Sequence, residues 1–444
     1  MALGKFFRRT LTIFFIIAGL LTAAVVGAKI QMYTATGEDY ANEIESQDIA
    51  KLRARDKAIK KATKQAGVYL KTYSRSVNSE LTDDEIIAIT SNSWQLVGEP
   101  KYSRTVKQIS DETSIIVWTA TVEVNVDDSE LQNWIKRDSK EKSTIINQTR
   151  KAQKVSDENE RIIEDLREKY NRATSQAEKD SLRKQMNDAD RDFLANQKHV
   201  AGIKLYYAND FNGAIKLYNE ALQLNPNNAD VYIDCGNAYF DLGQYERAIQ
   251  DYNKTIKLRS DYSEAYNNRA RAYEELGQYN RAFQDYTKSI ELNNPNLALV
   301  YYNRGLASLY QQQYRRAIPD FTKVIELESK PDKVDNSATY GLADVYNNRG
   351  VAYKNLEQYE NALKDYNKAI ELNPNQADAY FNRAVLFIMA GNYNQALADL
   401  NKTLQINPNR AQAYYLRGLI YAEMGNTAKA QADLTRAQQL GFNG

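Results

Sequence analysis

Histidine occurs once in this 444-residue chain, at His199, and cysteine once, at Cys235. A thiol beside an imidazole can be a nucleophile with its base, and both types ligate zinc, but a metal site needs three or four ligands at set spacings. One of each, 36 positions apart, does not supply that spacing. No glycine-rich phosphate loop and no nucleophile elbow is present. Carboxylates are plentiful, yet the 57 acidic residues are interleaved with 58 basic ones for a net charge of +1, the pattern of solvated helix faces. That balance leaves no basic field for a nucleic acid. The residues therefore point away from an enzyme, a metal site or a cofactor. A single cysteine excludes an intrachain disulfide, and Cys235 reads as a small buried hydrophobe.

What the chain does hold is aromatic rings in register, as in YNNRGVAYKNLEQYENALKDYNKAIELNP, residues 346–374. A small residue (Gly202, Gly236, Ala270, Gly305, Gly350, Ala384, Gly418) is followed twelve positions later by Ala214, Ala248, Ala282, Ala317, Ala362, Ala396 and Ala430. Successive small residues lie 34, 34, 35, 45, 34 and 34 apart, a period that marks stacked supersecondary units. The two small positions fall on two helices, whose axes can then approach closely. Rings such as Tyr346, Tyr353, Tyr359 and Tyr366 fill the space around them, so these tyrosines read as packing. Asn225-Pro226, Asn373-Pro374 and Asn407-Pro408 end copies where proline stops a helix.

Seven such copies, from about residue 195 to the end, resemble tetratricopeptide repeats. The resemblance implies a mainly α fold, paired antiparallel helices stacked as a right-handed superhelical solenoid with a concave groove. Some copies depart from the pattern: Ser260 replaces a terminal proline, and Ser308, Thr427 and Leu434 replace rings. Pro319 sits near the start of a second helix, where the first NH groups lack partners and proline is tolerated. Residues 329–342 form a mostly polar insertion, read as a loop.

Ahead of the repeats the texture changes. Lys5, Arg8 and Arg9 precede an uncharged run of 18 residues, 11–28, long enough to span a bilayer. Val26-Gly27-Ala28 also suits signal cleavage, so 1–31 is a transmembrane anchor or a signal helix. Either places the bulk across the cell membrane, single-pass or secreted, since the positive flank stays inside. Residues 32–137 hold all three tryptophans, Trp94, Trp118 and Trp134, and read as a small α+β domain. Its helix carries Leu52, Ile59, Ala62, Ala66 and Tyr73 on one face. The stretch 114–126 alternates as a strand should, with 94–106 as a candidate partner. With AIKKATKQAGVYLKT, LTDDEIIAIT and SELQNWIKR, this region resembles bacterial envelope domains of the lipoprotein and flagellar-assembly type. Lys51, Arg53, Arg55, Lys57, Lys60, Lys61 and Lys64 form either a solvated face or a surface for anionic headgroups. Residues 138–194 are a charged helical, coiled connector holding the repeats away, with Ser175 and Glu178 as a capping box if it folds into a hairpin.

In the repeat family particular positions of each first helix line the groove. Carried over, they are Tyr206 and Tyr207, Phe240, Asn267 and Arg271, and Tyr302, Leu306 and Tyr310. Asn347 and Val351, Phe381, Val385 and Met389, and Tyr415 continue the line. Apolar stretches flank a charged one at Arg271, which suits a protein or peptide partner with apolar anchors. Arg271 stands without the lysine and asparagine of a carboxylate clamp. The expected function is an exported or membrane-anchored protein-binding scaffold. Its alternative is an envelope assembly component that self-associates through Tyr415 and a last repeat with no capping helix before Gly444.

Overall fold

The computed structural model describes residues 30–41, 47–76, 81–108, 114–127, 135, 139–328 and 341–442. It divides into two compact units, Met1–Asn196 and Gln197–Gly444. The apolar run 11–28, Trp134 and most of the insertion, 329–340, lie outside the described residues. Among the described residues no helix is long and apolar enough to cross a membrane.

The first unit runs β1 (Ile30–Ala41), α1 (Gln47–Ser76), α2 (Asp83–Ser93), β2 (Trp94–Leu96), β3 (Lys101–Gln108), β4 (Ser114–Asp127) and α3 (Ser139–Arg172), then enters α4 (Gln176–Tyr207). All strand pairs are antiparallel, and β4 is central. β1 lies along one edge of β4, from Ile30 opposite Asp127 to Ala41 opposite Ile116. β3 and β2 lie end to end along the other, with Lys101 opposite Thr121 and Trp94 opposite Val126. The sequence pattern places Ile30 and Gln31 in the leading segment, whereas they open the β1 strand. That strand escapes the pattern because Thr34, Thr36, Gly37, Glu38 and Asp39 carry little apolar alternation.

α1 lies directly on β1. Ala50, Ala54, Ala58, Ala62 and Ala66 are all fully buried at four-residue spacing. A Cβ added to Gly37 would come within 2.3 Å of both the Ala54 carbonyl and the Ala58 nitrogen. Backbone thus meets backbone, so the face is built from residues too small to stand out in a hydrophobic pattern.

The stretch read as a connector folds as the hairpin that its capping box allows, and it packs into the first unit rather than standing apart from it. The Glu178 NH donates to Ser175 Oγ at 3.2 Å and starts α4, as a cap should. Ile163 and Leu166 of α3 pack against Leu182, Met186 and Phe193 of α4, and Ile49 and Leu52 of α1 close over them. The hairpin is pinned by charge as well. Asp39 accepts from Arg53 Nε at 2.5 Å and from Arg167 Nη1 at 3.0 Å, and Arg53 Nη1 donates to Asp190 at 2.5 Å. All four side chains are buried. Burial pulls the Asp39 carboxyl up, but Arg167, Arg53 and Lys57 outweigh it and hold the group below its ordinary value.

This corrects the reading of the basic cluster as one solvated or membrane-facing surface. Arg53 is buried, Lys57 lies 3.6 Å from Asp39, Lys60 bonds Glu160 at 2.8 Å, and Lys51 sits 4.4 Å above the Trp118 ring. Only Lys61 and Lys64 of the seven are exposed.

The second unit is seven helical pairs. The end of α4 pairs with α5 (Phe211–Leu224), followed by α6 (Ala229–Asp241) with α7 (Tyr245–Leu258) and α8 (Ser263–Glu275) with α9 (Tyr279–Glu291). Then come α10 (Leu297–Tyr310) with α11 (Tyr314–Glu328), α12 (Leu342–Asn355) with α13 (Tyr359–Leu372), α14 (Ala377–Met389) with α15 (Tyr393–Ile406), and α16 (Ala411–Glu423) with α17 (Thr427–Gln439). The small residues do what their spacing implies. A Cβ on Gly236 would meet Tyr252 at 2.6 Å and one on Gly350 would meet Tyr366 at 2.7 Å. Tyr252 and Tyr366 are buried, but Tyr359, expected to fill space, is 41% exposed at the start of α13. Pro319 is the sixth residue of α11, past the free first turn, so the Arg315 carbonyl forgoes its helical partner.

Each turn inside a pair closes with an NH reaching back five residues, as in Gln244 to Tyr239 and Gln313 to Ser308. Such a turn needs one left-handed residue. Glycine supplies it at Gly243, Gly277, Gly391 and Gly425, but Asn209, Gln312 and Glu357 adopt it with φ of 60°, 58° and 61°. Because a Cβ costs about 1 kcal/mol in that conformation, Gln312→Gly and Glu357→Gly should each stabilise the array, raising its thermal midpoint. In the first unit, Asp39→Ala should cost about 3–5 kcal/mol in denaturant unfolding, since it removes the carboxylate that two buried guanidinium groups share.

Candidate functional site

The first helices of neighbouring repeats, α6 through α14, touch one another more than successive second helices do. The array therefore curves with its first helices on the inner side. Small residues on those helices permit the curvature, and a repeated ionic bond fixes it. Arg269, Arg304, Arg349, Arg383 and Arg417 each grip the aspartate sixteen residues on (Asp285, Asp320, Asp365, Asp399, Asp433) with two bonds of 2.6–2.9 Å. The remaining Nη1 donates to the preceding repeat's second helix, at Asn253, Thr287, Thr322, Asn367 and Asn401. Each guanidinium also lies 5.4–5.6 Å over the tyrosine three residues earlier. Arginine is suited to this because its planar fork has donors left after a bidentate carboxylate bond.

Sequence reasoning missed these arginines, although the signal is legible. An Arg directly before the small residue recurs in five copies with an Asp sixteen positions on, directly before a ring in three (Tyr286, Phe321, Tyr366) and before Leu400 and Leu434 in the last two. Charged residues were assigned to the surface by default, and here they are the inter-repeat joint.

Against this frame the expected groove residues separate into two sets. Several are consumed internally. Tyr206 donates to Asp241 at 2.5 Å and stacks edge-on with Tyr207 and Phe211. Phe240 packs on Tyr245 and lies 4.6 Å beneath the Arg271 guanidinium. Tyr302 packs on Phe321 and accepts from Asn348 at 3.3 Å. Leu306 and Val351 join core clusters. Asn347 is buried and accepts from Asn382 at 2.9 Å. The Phe381 ring lies 4.0 Å beneath Arg410. Tyr415 is half-buried and meets Phe442 edge-on, 5.1 Å away.

The second set stays open. Tyr310 is 59% exposed, leaning on Tyr279 at 5.6 Å, and Met389 is 58% exposed. Arg271 is exposed and Val385 half-buried. Asn267 is buried with Nδ2 donated to Asn268, and its Oδ1 has no partner. Between them Glu274, on the same helix as Arg271, is raised by burial, with the Tyr286 hydroxyl bond opposing. His199, the lone histidine, bonds Asp234 at 2.7 Å across the first two repeats. Among the described residues no cluster of His, Cys, Asp and Glu could hold a metal ion.

Tetratricopeptide-repeat models match residues 202–243, 236–277, 263–294, 302–350, 343–376, 365–398, 386–425 and 411–440. The chain belongs to the tetratricopeptide-repeat family. No curated protein matches it in sequence. Among solved structures this tetratricopeptide-repeat chain is similar to YrrB, described as a TPR protein with an unusual peptide-binding site, at 24% identity and TM-score 0.39 over 45% of this chain and 97% of that one. It is also similar to a tetratricopeptide repeat protein from Parabacteroides merdae, at 23% identity and TM-score 0.43 over 56% and 94%. MamA is similar at 26% identity and TM-score 0.37 over 41% and 94%.

The arginine joint makes a quantitative expectation. Arg349→Ala leaves Asp365 buried without its cation and should destabilise the repeats by about 3–5 kcal/mol. Removing both charges, Arg349→Ala with Asp365→Ala, should recover much of that loss, as a double-mutant cycle in denaturant will read.

Proposed function

We propose that the repeat array captures an extended or helical segment of a partner protein along its inner surface, without turnover. The observation that carries this is the exposure of Tyr310 and Met389 on first helices whose other rings are packed. Large apolar side chains left exposed to water gain nothing there, and aromatic anchors of this kind dominate the energy of recognition. Arg271 adds a charged contact at one end of the stretch. The uncharged run 11–28 behind Lys5, Arg8 and Arg9 supports a place at or beyond a cell membrane, as an anchored or exported scaffold.

Selection of a displayed random-peptide library against the full chain should yield binders. Tyr310→Ala with Met389→Ala should weaken the selected peptides by about tenfold or more while leaving the circular dichroism unchanged. Unchanged affinity would move the site off the inner surface. Cell fractionation of the chain with and without residues 1–31 tests the address: deletion should release the protein from the membrane or exported fraction.

A further inference from the structure

The arginine ladder breaks at the second repeat. The residue before Gly236 is Cys235 rather than arginine, yet the aspartate sixteen residues on is retained as Asp251. Cys235 is buried and its thiol bonds the half-buried Asp251 carboxylate, whose Oδ2 is closed to solvent with no hydrogen-bond partner. Asn219 stands where later repeats place the residue that receives the guanidinium, and it bonds Tyr239 instead. The groups facing Asp251 are the Cys235 thiol and the Tyr232 and Tyr239 phenols from α6, and Tyr252 from its own helix. The next ladder cation along the chain, Arg269 of α8, is committed to Asp285 and Asn253.

We propose that the second repeat is a proton-controlled joint: with the Asp251 carboxyl neutral, α6 and α7 close as tightly as the other pairs, and with it charged this pair opens first. The physical reason is that a buried carboxylate without a cation is costly, whereas a buried carboxylic acid is not. Burial pushes Asp251 up to about 6, opposed only by the thiol bond. The folded value lies above the unfolded one, so the fold favours the protonated form. The loss of stability is absent below the ordinary carboxylate range, grows as pH rises, and is complete above about 6. Burial also lifts Asp320 in the fourth repeat, where Arg304 opposes it.

Hydrogen exchange of the full chain, corrected for intrinsic rates, reads this directly at pH 4.5 and 7.5. Amides of 229–258 should be protected about tenfold or more better at the lower pH, with a smaller change around Asp320. Asp251→Asn should abolish the difference in 229–258. Equal protection of the native chain at both pH values, or a difference that survives Asp251→Asn, would overturn the proposal. Should that variant not fold, Cys235→Arg supplies the missing guanidinium and should raise protection at pH 7.5 and flatten the pH response. No gain at pH 7.5 would equally overturn it.

Discussion

One side chain, used five times, ties the array together: an arginine that bonds a carboxylate in its own repeat, an amide or hydroxyl in the one before, and lies over a tyrosine. Each element of that contact sets something different. The bidentate bond fixes the second helix against the first, the third bond fixes the repeat against its neighbour, and the tyrosine ring lies beneath the guanidinium. A repeat solenoid is stable only through nearest-neighbour interfaces, so a bond that joins three helices at once carries unusual weight. It is tolerated in a half-buried place because its charge and most of its donors are satisfied there.

The inner surface follows from the same constraint. Small residues let the first helices approach, the arginines hold them, and rings from both helices fill what remains. A position on the inner face is then either used for closure, as Tyr206, Tyr302 and Tyr415 are, or left over, as Tyr310 and Met389 are. The first unit solves a related problem differently: Asp39, Arg53, Arg167 and Asp190 form a buried network among strand, helix and hairpin. There the helix lies so close to β1 that only alanine and Gly37 fit between them.

The repeat fold was legible in the spacing of small residues and rings, because each copy repeats one local packing problem and the period survives individual substitutions. What stayed hidden were charges with buried work. Arg53 read as part of a basic surface cluster, and the Arg–Asp joint read as mixed solvated charge, since a one-dimensional pattern records polarity and not the partner.

The amino-acid sequence by itself determined the seven helical pairs, their small-residue contacts and the apolar run near the start. Each depends on neighbours close along the chain or on composition alone. Only the tertiary structure decided that residues 139–194 fold back onto α1, that Phe442 meets Tyr415, and which inner-face rings remain open. Those outcomes turn on contacts between residues tens of positions apart, where a side chain's role is set by what the fold brings against it.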